Sequence, residues 1–227
     1  MRFKTSALLA ALGLCLVLGQ AHAGFMVEVD IDGMDDGPFT PSPNFTFGGD
    51  TTTASTSVAG TAYGLTGGDS LFGGDGVNEP DTYVYRYDPT TDVDNLNTAG
   101  VVLGLDLAGN GVIGSGLAGG AAGAYRVYAT WPATTNVNAN GVNFTATSGS
   151  SSFTVNVDQN GYNGEWIYLG YVQYDGSSGI ILTQEAVENS FVSMRAAAAL
   201  FEPVPEPMAV TLAAIAFGTL AVVRRQR

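Results

Sequence analysis

The side chains in this sequence that could do chemistry are carboxylates, hydroxyls and aromatic rings. The single histidine, His22, and the single cysteine, Cys15, both lie within the first 23 residues. All 21 acidic residues lie between Glu28 and Glu206, whereas only three of the eight basic residues do, so this part carries a net charge of −18 (3 minus 21). Such a charge repels nucleic acid and anionic lipid, and it favours neutral glycans, cations or basic proteins as ligands.

The missing histidine and cysteine restrict the catalytic chemistry of the chain beyond residue 23. Ser-His-Asp catalysis, Cys-His catalysis and the usual zinc sites all need one of these side chains. We therefore predict no catalytic residue. The alternative is a glycosidase or lyase that uses carboxylates such as Asp158 and Glu165, which would have to lie at a defined separation in a cleft.

One acidic loop carries the best set of oxygen donors in the sequence, Asp88, Asp92 and Asp94. Carboxylates two positions apart in a loop can converge on a hard cation, so Ca²⁺ is a hypothesis for this loop. A solvated acidic loop is the alternative interpretation, and no other cofactor is predicted. A second acidic turn, residues 30–36, lies earlier in the sequence. It has Asp35 where an EF-hand loop needs glycine at its sixth position, so it is interpreted as a solvated turn.

Aromatic side chains offer a second kind of chemistry, because their rings can stack on the CH faces of sugars. Large aromatic residues are also common in protein cores, so each candidate has to be weighed against a place inside the fold. The candidates for a glycan-binding face are Trp131, Trp166, Tyr168, Tyr171 and Tyr174.

Predicted strands must position these aromatic rings, and residues 124–130 show the clearest strand pattern. Tyr125, Val127 and Ala129 alternate with their neighbours, which is typical of a strand with one buried face. Trp131 continues the same phase, so we predict that it belongs to the core.

The second tryptophan opens a later aromatic strand, residues 165–173. Ile167, Leu169 and Tyr171 form one apolar face of this strand, which we predict to be the core face. Trp166 and Tyr168 would then lie on the opposite face, where they form our candidate pair for stacking on a glycan.

Other segments also alternate with a period of two. Residues 142–147 and 153–157 flank the run SGSSS, whose glycine suits a turn, and they predict a hairpin. Residues 81–88 predict a tyrosine-rich strand, with residues 101–107 as its partner.

The short strands and turn residues of positions 24–203 predict one domain. Its length suits a single unit, and we predict an all-β fold, an antiparallel β-sandwich of jelly-roll type. The glycine-rich run 109–123 lacks the strand and helix context of a phosphate-binding loop, so it is interpreted as a flexible loop.

Residues 124–203 resemble the golvesin C-terminal-like domain, a family also described as xanthan-lyase-type and carbohydrate-binding-like. The resemblance rests on YRVYATWPA with Asn136 soon after it, a Ser-Gly hairpin, FTVNVDQ and GEWIYLG, with a looser match over 191–203. The chain departs from the family in its Gly/Ala-rich insert before Tyr125 and in Val137, where a polar or basic residue is more usual. The resemblance implies an extracellular β-sandwich associated with glycans, and no known catalytic residue.

The first 23 residues have the pattern of a signal peptide. Basic residues precede an apolar stretch, and Ala21-His22-Ala23 is the small-x-small pattern that signal peptidase cleaves, here before Gly24. A lipoprotein signal at Cys15 is the alternative, but Leu14 is too large for the position before the cysteine. The chain is therefore predicted to be exported.

Residues 204–227 form a tail of three parts. Pro205, Glu206 and Pro207 precede an apolar run, Met208 to Val223, which as a helix would span about 24 Å. The run ends in a basic stop that favours a cytoplasmic C-terminus, formed by Arg224, Arg225 and Arg227.

The tail resembles the PEP-CTERM sorting signal, in which a membrane-embedded exosortase cleaves near the Pro-Glu-Pro motif. The resemblance implies an exosortase-type partner and transient anchoring in the inner membrane of a bacterium, followed by the cell surface or the extracellular matrix. A C-terminal membrane anchor that is never cut is the alternative.

Three functional hypotheses follow from these observations. The favoured one is an exported, noncatalytic surface or biofilm-matrix protein that associates with exopolysaccharide or other glycans. The second is a purely structural or adhesive surface protein, which a glycan-binding screen would distinguish from the first. The third is the carboxylate-dependent polysaccharide-degrading enzyme, which an assay for cleavage would reveal.

Overall fold

The computed structural model describes residues 24–31, 39–48, 52–55, 59, 70–73, 82–93, 95–162, 164–188, 190 and 192–205. These residues form fourteen strands and no helix. The strands are β1 Phe25–Glu28, β2 Phe45–Gly48, β3 Thr52–Ser55, β4 Ser70–Gly73, β5 Thr82–Tyr87, β6 Val102–Leu105, β7 Gly111–Ile113, β8 Gly123–Thr130, β9 Val142–Ser148, β10 Ser151–Val157, β11 Ile167–Tyr174, β12 Ile180–Ala186, β13 Met194–Ala196 and β14 Ala198–Pro203.

The strands form two large sheets and one small sheet. The six-stranded sheet has the order β1-β14-β8-β11-β6-β7, the five-stranded sheet has the order β10-β9-β12-β5-β2, and the small sheet is β13-β4-β3. Neighbouring strands within each sheet are antiparallel, except β6 and β11, which are parallel where Leu105 pairs with Ile167. The predicted all-β sandwich is therefore confirmed for the described residues, with one parallel pair that was not expected.

Eight of these strands follow the order of a jelly roll. If β1, β5, β8, β9, β10, β11, β12 and β14 are counted as strands one to eight, the large sheets read 1-8-3-6 and 2-7-4-5. This order lets consecutive strands cross between the two sheets, so each sheet buries one face against the other.

The main core lies between the two large sheets. Tyr83, Tyr85 and Tyr87 of β5 point into it, as the alternation in 81–88 predicted, and each is at most 1% exposed. Aromatic rings join the sheets, because Tyr87 stacks between Phe25, at 4.6 Å between ring centroids, and Phe201, at 5.5 Å.

The predicted partner of β5 is wrong. β5 pairs with β12 and β2, whereas residues 102–105 form β6 in the other large sheet. The two segments have compatible patterns, but a period of two does not specify which strand lies beside which. The glycine-rich run predicted as a loop likewise contributes β7 to the six-stranded sheet.

The predicted hairpin is confirmed as β9 and β10. Ser148 pairs with Ser151, so two residues, Gly149 and Ser150, form the turn. Gly149 has a φ of 55°, which glycine adopts at little steric cost. The predicted hairpin strands lie within the observed ones.

A second, smaller core covers the outer face of the six-stranded sheet. It consists of Met26, Leu96, Leu103, Tyr128, Trp166, Ala198 and Leu200. β6 lies close beside the Trp166 backbone, because a Cβ on Gly104 would collide with the Trp166 backbone oxygen. The outer face of the sheet is therefore covered around Tyr128 and Leu200.

The two terminal segments fall mostly outside the described residues. Ala21, Ala23, Glu206, Pro207 and the basic stop (Arg224, Arg225 and Arg227) all lie outside them. The described part of the chain contains no helix that is long and apolar enough to cross a membrane.

Candidate functional site: an aromatic groove between β10 and β11

A β-bulge in β11 determines which aromatic residues reach the surface. Tyr168 pairs with Tyr128 of β8, but Gly170 pairs with the adjacent Val127, so Leu169 is one extra residue in β11. A bulge of this kind shifts the alternation of side chains by one position. Tyr171 therefore points outward with 64% of its surface exposed, and our prediction that it lies on the core face is wrong.

The bulge lies beside a groove of about 520 Å³. Residues 151–155 of β10 and 168–171 of β11 line this groove, which we call the aromatic groove. Because consecutive residues of both strands line it, backbone groups as well as side chains face the space.

The groove exists because two strand edges meet without forming a ladder. β10 is the edge of the five-stranded sheet, and β6 pairs with β11 only near Ile167 in the observed register. A side-chain hydrogen bond joins the two edges at one end, where the Gln173 backbone N–H donates to Ser151 Oγ at 3.0 Å. Beyond this bond, the Phe153 ring lies against Gly170, where a Cβ would come within 3.0 Å of the ring.

The lining of the groove combines aromatic rings with hydroxyl groups. Tyr171 is exposed, whereas Phe153, Val155 and Tyr168 are half-buried. Burial raises the pKa of Tyr168, so its phenol is neutral at physiological pH and can donate a hydrogen bond. An apolar surface bordered by hydroxyls and backbone groups suits a sugar ring, which has an apolar CH face and polar hydroxyl groups.

The structure separates our predicted stacking pair. Trp166 is only 1% exposed in the second core, so its ring is not accessible for stacking and this prediction is wrong. Tyr168 is accessible at the groove, but its ring packs 5.5 Å from Tyr128 rather than beside an exposed tryptophan. The reason is that Leu96 and Leu103 join Trp166 in the second core on the outer face of the six-stranded sheet, which a strand pattern does not reveal.

The predicted core position of Trp131 is confirmed. The residue is 1% exposed, and its Nε1–H donates to the Gln159 backbone oxygen at 3.0 Å. Its ring stacks on Phe144 at 5.8 Å and meets Tyr162 edge-on at 5.5 Å.

Sequence reasoning did not name Phe153 for the site, and it named Tyr171 among five candidate rings but assigned it to the core face. One signal was present, since a glycine in the middle of a strand pattern, here Gly170, often marks a bulge or a close approach by another group. In this chain it marks both, because the register shifts there and the Phe153 ring packs against it.

The acidic loop uses its carboxylates to hold its own conformation. Asp92 Oδ2 accepts hydrogen bonds from Asn44 Nδ2 at 2.9 Å and from the Asp88 backbone at 2.8 Å. Thr90 donates both its hydroxyl and its backbone N–H to Asp88, and these bonds hold the pKa of the Asp88 carboxyl below its usual range. Asp94 lies outside the described residues.

The calcium hypothesis therefore stays a prediction. Among the described residues, no group of three or more His, Cys, Asp or Glu side chains is placed to hold a metal ion. The third carboxylate of the predicted set is not in that part of the chain.

The two acids of the enzyme hypothesis flank the groove rather than line it. Asp158 follows β10 and accepts hydrogen bonds from the backbone and side chain of Asn160 at 3.0 and 2.7 Å. Glu165 precedes β11 and is half-buried. Neither carboxylate belongs to the lining of the groove.

Comparison with known proteins supports the fold. No protein-family model matches the sequence, and neither does any curated protein. A xanthan lyase from Paenibacillus, solved to 2.6 Å resolution, is similar over 82% of this chain with 18% identity and a TM-score of 0.50. The match spans about 14% of the xanthan lyase chain.

A second solved structure comes from work on the promiscuous specificity of carbohydrate-binding modules of the β-sandwich superfamily. It is similar over 71% of this chain and 56% of its own, with 8% identity and a TM-score of 0.32. The likeness to the xanthan lyase shows a shared fold, which agrees with the xanthan-lyase-type sandwich that the sequence resemblance implied.

Proposed function

We propose that this chain is an exported, noncatalytic surface or matrix protein that binds a glycan in the aromatic groove. The observation that carries the proposal is the exposure of Tyr171 beside Phe153, Tyr168 and the open edges of two strands. Stacking on an aromatic ring and hydrogen bonds to backbone and hydroxyl groups are the interactions that a sugar needs. The shared fold adds support, because the neighbouring structure is a xanthan lyase.

The shape of the groove gives less support to the alternative, a purely structural or adhesive surface protein. A protein-binding patch is usually broad and centred on buried apolar anchors. The groove instead presents one exposed ring in a narrow space between strands, bordered by Ser152 and Thr154.

Export and sorting complete the proposal. We propose that signal peptidase cleaves before Gly24 and that an exosortase-type enzyme processes the tail 204–227. The arrangement of the termini supports this, because β1 and β14 are antiparallel neighbours with Phe25 opposite Phe201. Gly24 and Val204 therefore lie at the same end of the sheet, from which both predicted membrane-directed segments can reach one membrane.

The described residues reach the first residue of the sorting motif, Pro205. The Val204 backbone N–H still donates to the Ala124 oxygen at 2.9 Å, and the next residue, Pro205, is exposed. We expect proline on both sides of Glu206 to keep the motif out of a helix, which would suit recognition by a processing enzyme.

Tyr171→Ala tests glycan binding at the groove. We expect affinity for a bound polysaccharide to fall at least about tenfold, equal to about 1.4 kcal/mol, because the exposed stacking surface is lost. Tyr171→Phe should retain most of the affinity, since it keeps the ring. The measurement is isothermal titration or affinity electrophoresis against a panel of soluble polysaccharides.

Phe47→Ala is the matched control for this experiment. Phe47 is also an exposed aromatic residue, 48% exposed, but it lies on β2 at the other edge of the five-stranded sheet. Equal losses of affinity for the two alanine variants would show that the groove is not the binding site. Cleavage of any polysaccharide in the panel would instead support the enzyme hypothesis.

Glu206→Ala tests the sorting signal in the native host. If an exosortase-type enzyme reads the Pro-Glu-Pro motif, the variant should keep its tail, gain the corresponding mass and stay in the membrane fraction. Intact-mass analysis of protein from the cell envelope and the medium gives both results. Glu185→Ala, an exposed change in β12, should be processed like the parent, whereas identical processing of both variants would reject the motif.

A further inference from the structure

We infer that the aromatic groove selects neutral sugars and rejects sugars that carry carboxylates. This inference rests on the proposed glycan binding and adds the chemical class of the ligand. The groove itself contains no charged side chain, since its lining residues are Ser151, Ser152, Phe153, Thr154, Val155, Tyr168, Leu169, Gly170 and Tyr171. A carboxylate bound there would therefore meet no cation in the lining.

Acidic residues lie at both ends of the groove. Ser151 lies beside Gln173 and Phe153 beside Gly170, so β10 and β11 run in opposite directions along it. At one end, β11 is followed by Asp175, which packs close to the turn residue Gly149.

At the other end, β10 is followed by Asp158 and β11 is preceded by Glu165. A ligand along the groove would thus have carboxylates at both of its ends. All three acidic residues are at least partly accessible to solvent.

A basic side chain beside the groove residues, Arg126, has its charge offset by the protein itself. Arg126 lies opposite Tyr171 in the ladder between β8 and β11. Its Nη1 contacts the buried carboxylate of Glu202 at 3.4 Å and donates to the Ile113 oxygen at 2.9 Å. Arg126 is therefore paired with Glu202, whose carboxylate offsets its positive charge.

The size of the groove makes this repulsion dependent on salt. β10, which runs along the groove, has seven residues, and an extended strand of this length spans about 23 Å. The middle of the groove is therefore roughly 12 Å from the acids at either end. The Debye length is about 30 Å at 0.01 M salt and about 8 Å at 0.15 M. A carboxylate in the groove is thus repelled at low salt and largely screened at physiological salt.

The test compares neutral polysaccharides with their own carboxymethylated forms. The probes are soluble β-glucan, dextran, galactomannan and xylan, each paired with a carboxymethyl derivative of the same length. We expect at least one neutral probe to bind, with an affinity that changes less than twofold between 0.01 and 0.3 M salt. Its carboxymethylated partner should bind at least tenfold more weakly at 0.01 M, with the gap narrowing as salt rises.

A pair of substitutions at one position isolates the effect of charge. Gln173 is exposed, lies two residues from Tyr171 on the same side of β11, and does not line the groove. Gln173→Lys should strengthen binding of the carboxymethylated probe several-fold at low salt, and Gln173→Glu should weaken it further. Neither variant should alter binding of the neutral probe, because the Gln173 backbone N–H keeps its bond to Ser151.

The outcomes distinguish this inference from the proposed function. Equal or tighter binding of the carboxymethylated probe at 0.01 M salt would overturn the selection against acidic sugars while leaving glycan binding intact. No binding of any neutral or carboxymethylated probe would overturn both, as would binding that Tyr171→Ala does not weaken.

Discussion

Replacing Trp131 with alanine is expected to destabilise the domain by about 3 to 5 kcal/mol, the range for removing a large buried aromatic side chain. Trp131 lies between the two large sheets, where it packs against Phe144 and Tyr162. A domain of this size is stable by only about 5 to 15 kcal/mol, so the variant would lose a large part of its folding free energy.

Trp166 allows a matched comparison, because both tryptophans are 1% exposed but only one has a hydrogen-bond partner. Trp131 Nε1–H donates to Gln159, whereas Trp166 Nε1 has no partner among the described residues. Trp131→Phe should therefore cost more than Trp166→Phe by about 1 kcal/mol or more, since it leaves the buried Gln159 oxygen without its donor. Trp166→Ala should also cost about 3 kcal/mol, since it empties the second core.

Urea unfolding of the alanine and phenylalanine variants of Trp131 and Trp166 measures these differences in stability. Acrylamide quenching of the two phenylalanine variants measures the exposure of the remaining tryptophan. Each phenylalanine variant retains one of the two tryptophans of the chain. Both remaining indoles should be protected from acrylamide. An accessible Trp166 would show that the second core does not cover its ring, and would restore the stacking pair that the structure rejects.

Replacing Glu202 with alanine is the second change with a large expected effect, about 3 kcal/mol of destabilisation. Glu202 is fully buried in β14, where its carboxylate contacts Arg126 at 3.4 Å and accepts a hydrogen bond from the Tyr128 hydroxyl at 3.1 Å. It also accepts from the Ser115 backbone N–H, so it ties the glycine-rich insert to the sheet. Alanine would leave these buried donors without an acceptor.

Glu202→Gln separates the hydrogen bonds from the charge. Glutamine keeps an oxygen for Tyr128 or Ser115 but loses the ionic attraction to Arg126, which is itself 27% exposed. We expect the glutamine variant to lose roughly half as much stability as alanine, and Glu185→Ala, an exposed change, to stay within about 0.5 kcal/mol of the parent. Equal stability of Glu202→Ala and the parent in urea unfolding would contradict the role of this carboxylate.

Several features of this protein could be predicted from sequence because they depend on neighbouring residues. The alternation in β5 and β8 identifies both strands and the tyrosines of one buried face, but not Tyr128, which is also buried; the run SGSSS identifies the β9–β10 hairpin. Composition alone shows the strong negative charge and the lack of histidine and cysteine beyond residue 23. Trp131 could be placed in the core because it continues the phase of an unbroken strand.

Other features were decided only by contacts between distant parts of the chain. The partner of β5 is β12, nearly one hundred residues away, because many strands share the same pattern and packing selects among them. Trp166 is buried because Leu96 and Leu103 belong to the cluster on the face where an isolated strand would expose it. The bulge at Leu169 turns Tyr171 outward, and Tyr171 becomes part of the candidate groove only because Phe153 of another sheet lies beside Gly170. Alternation is a local property of the backbone, whereas the covering of a sheet face depends on where remote segments pack.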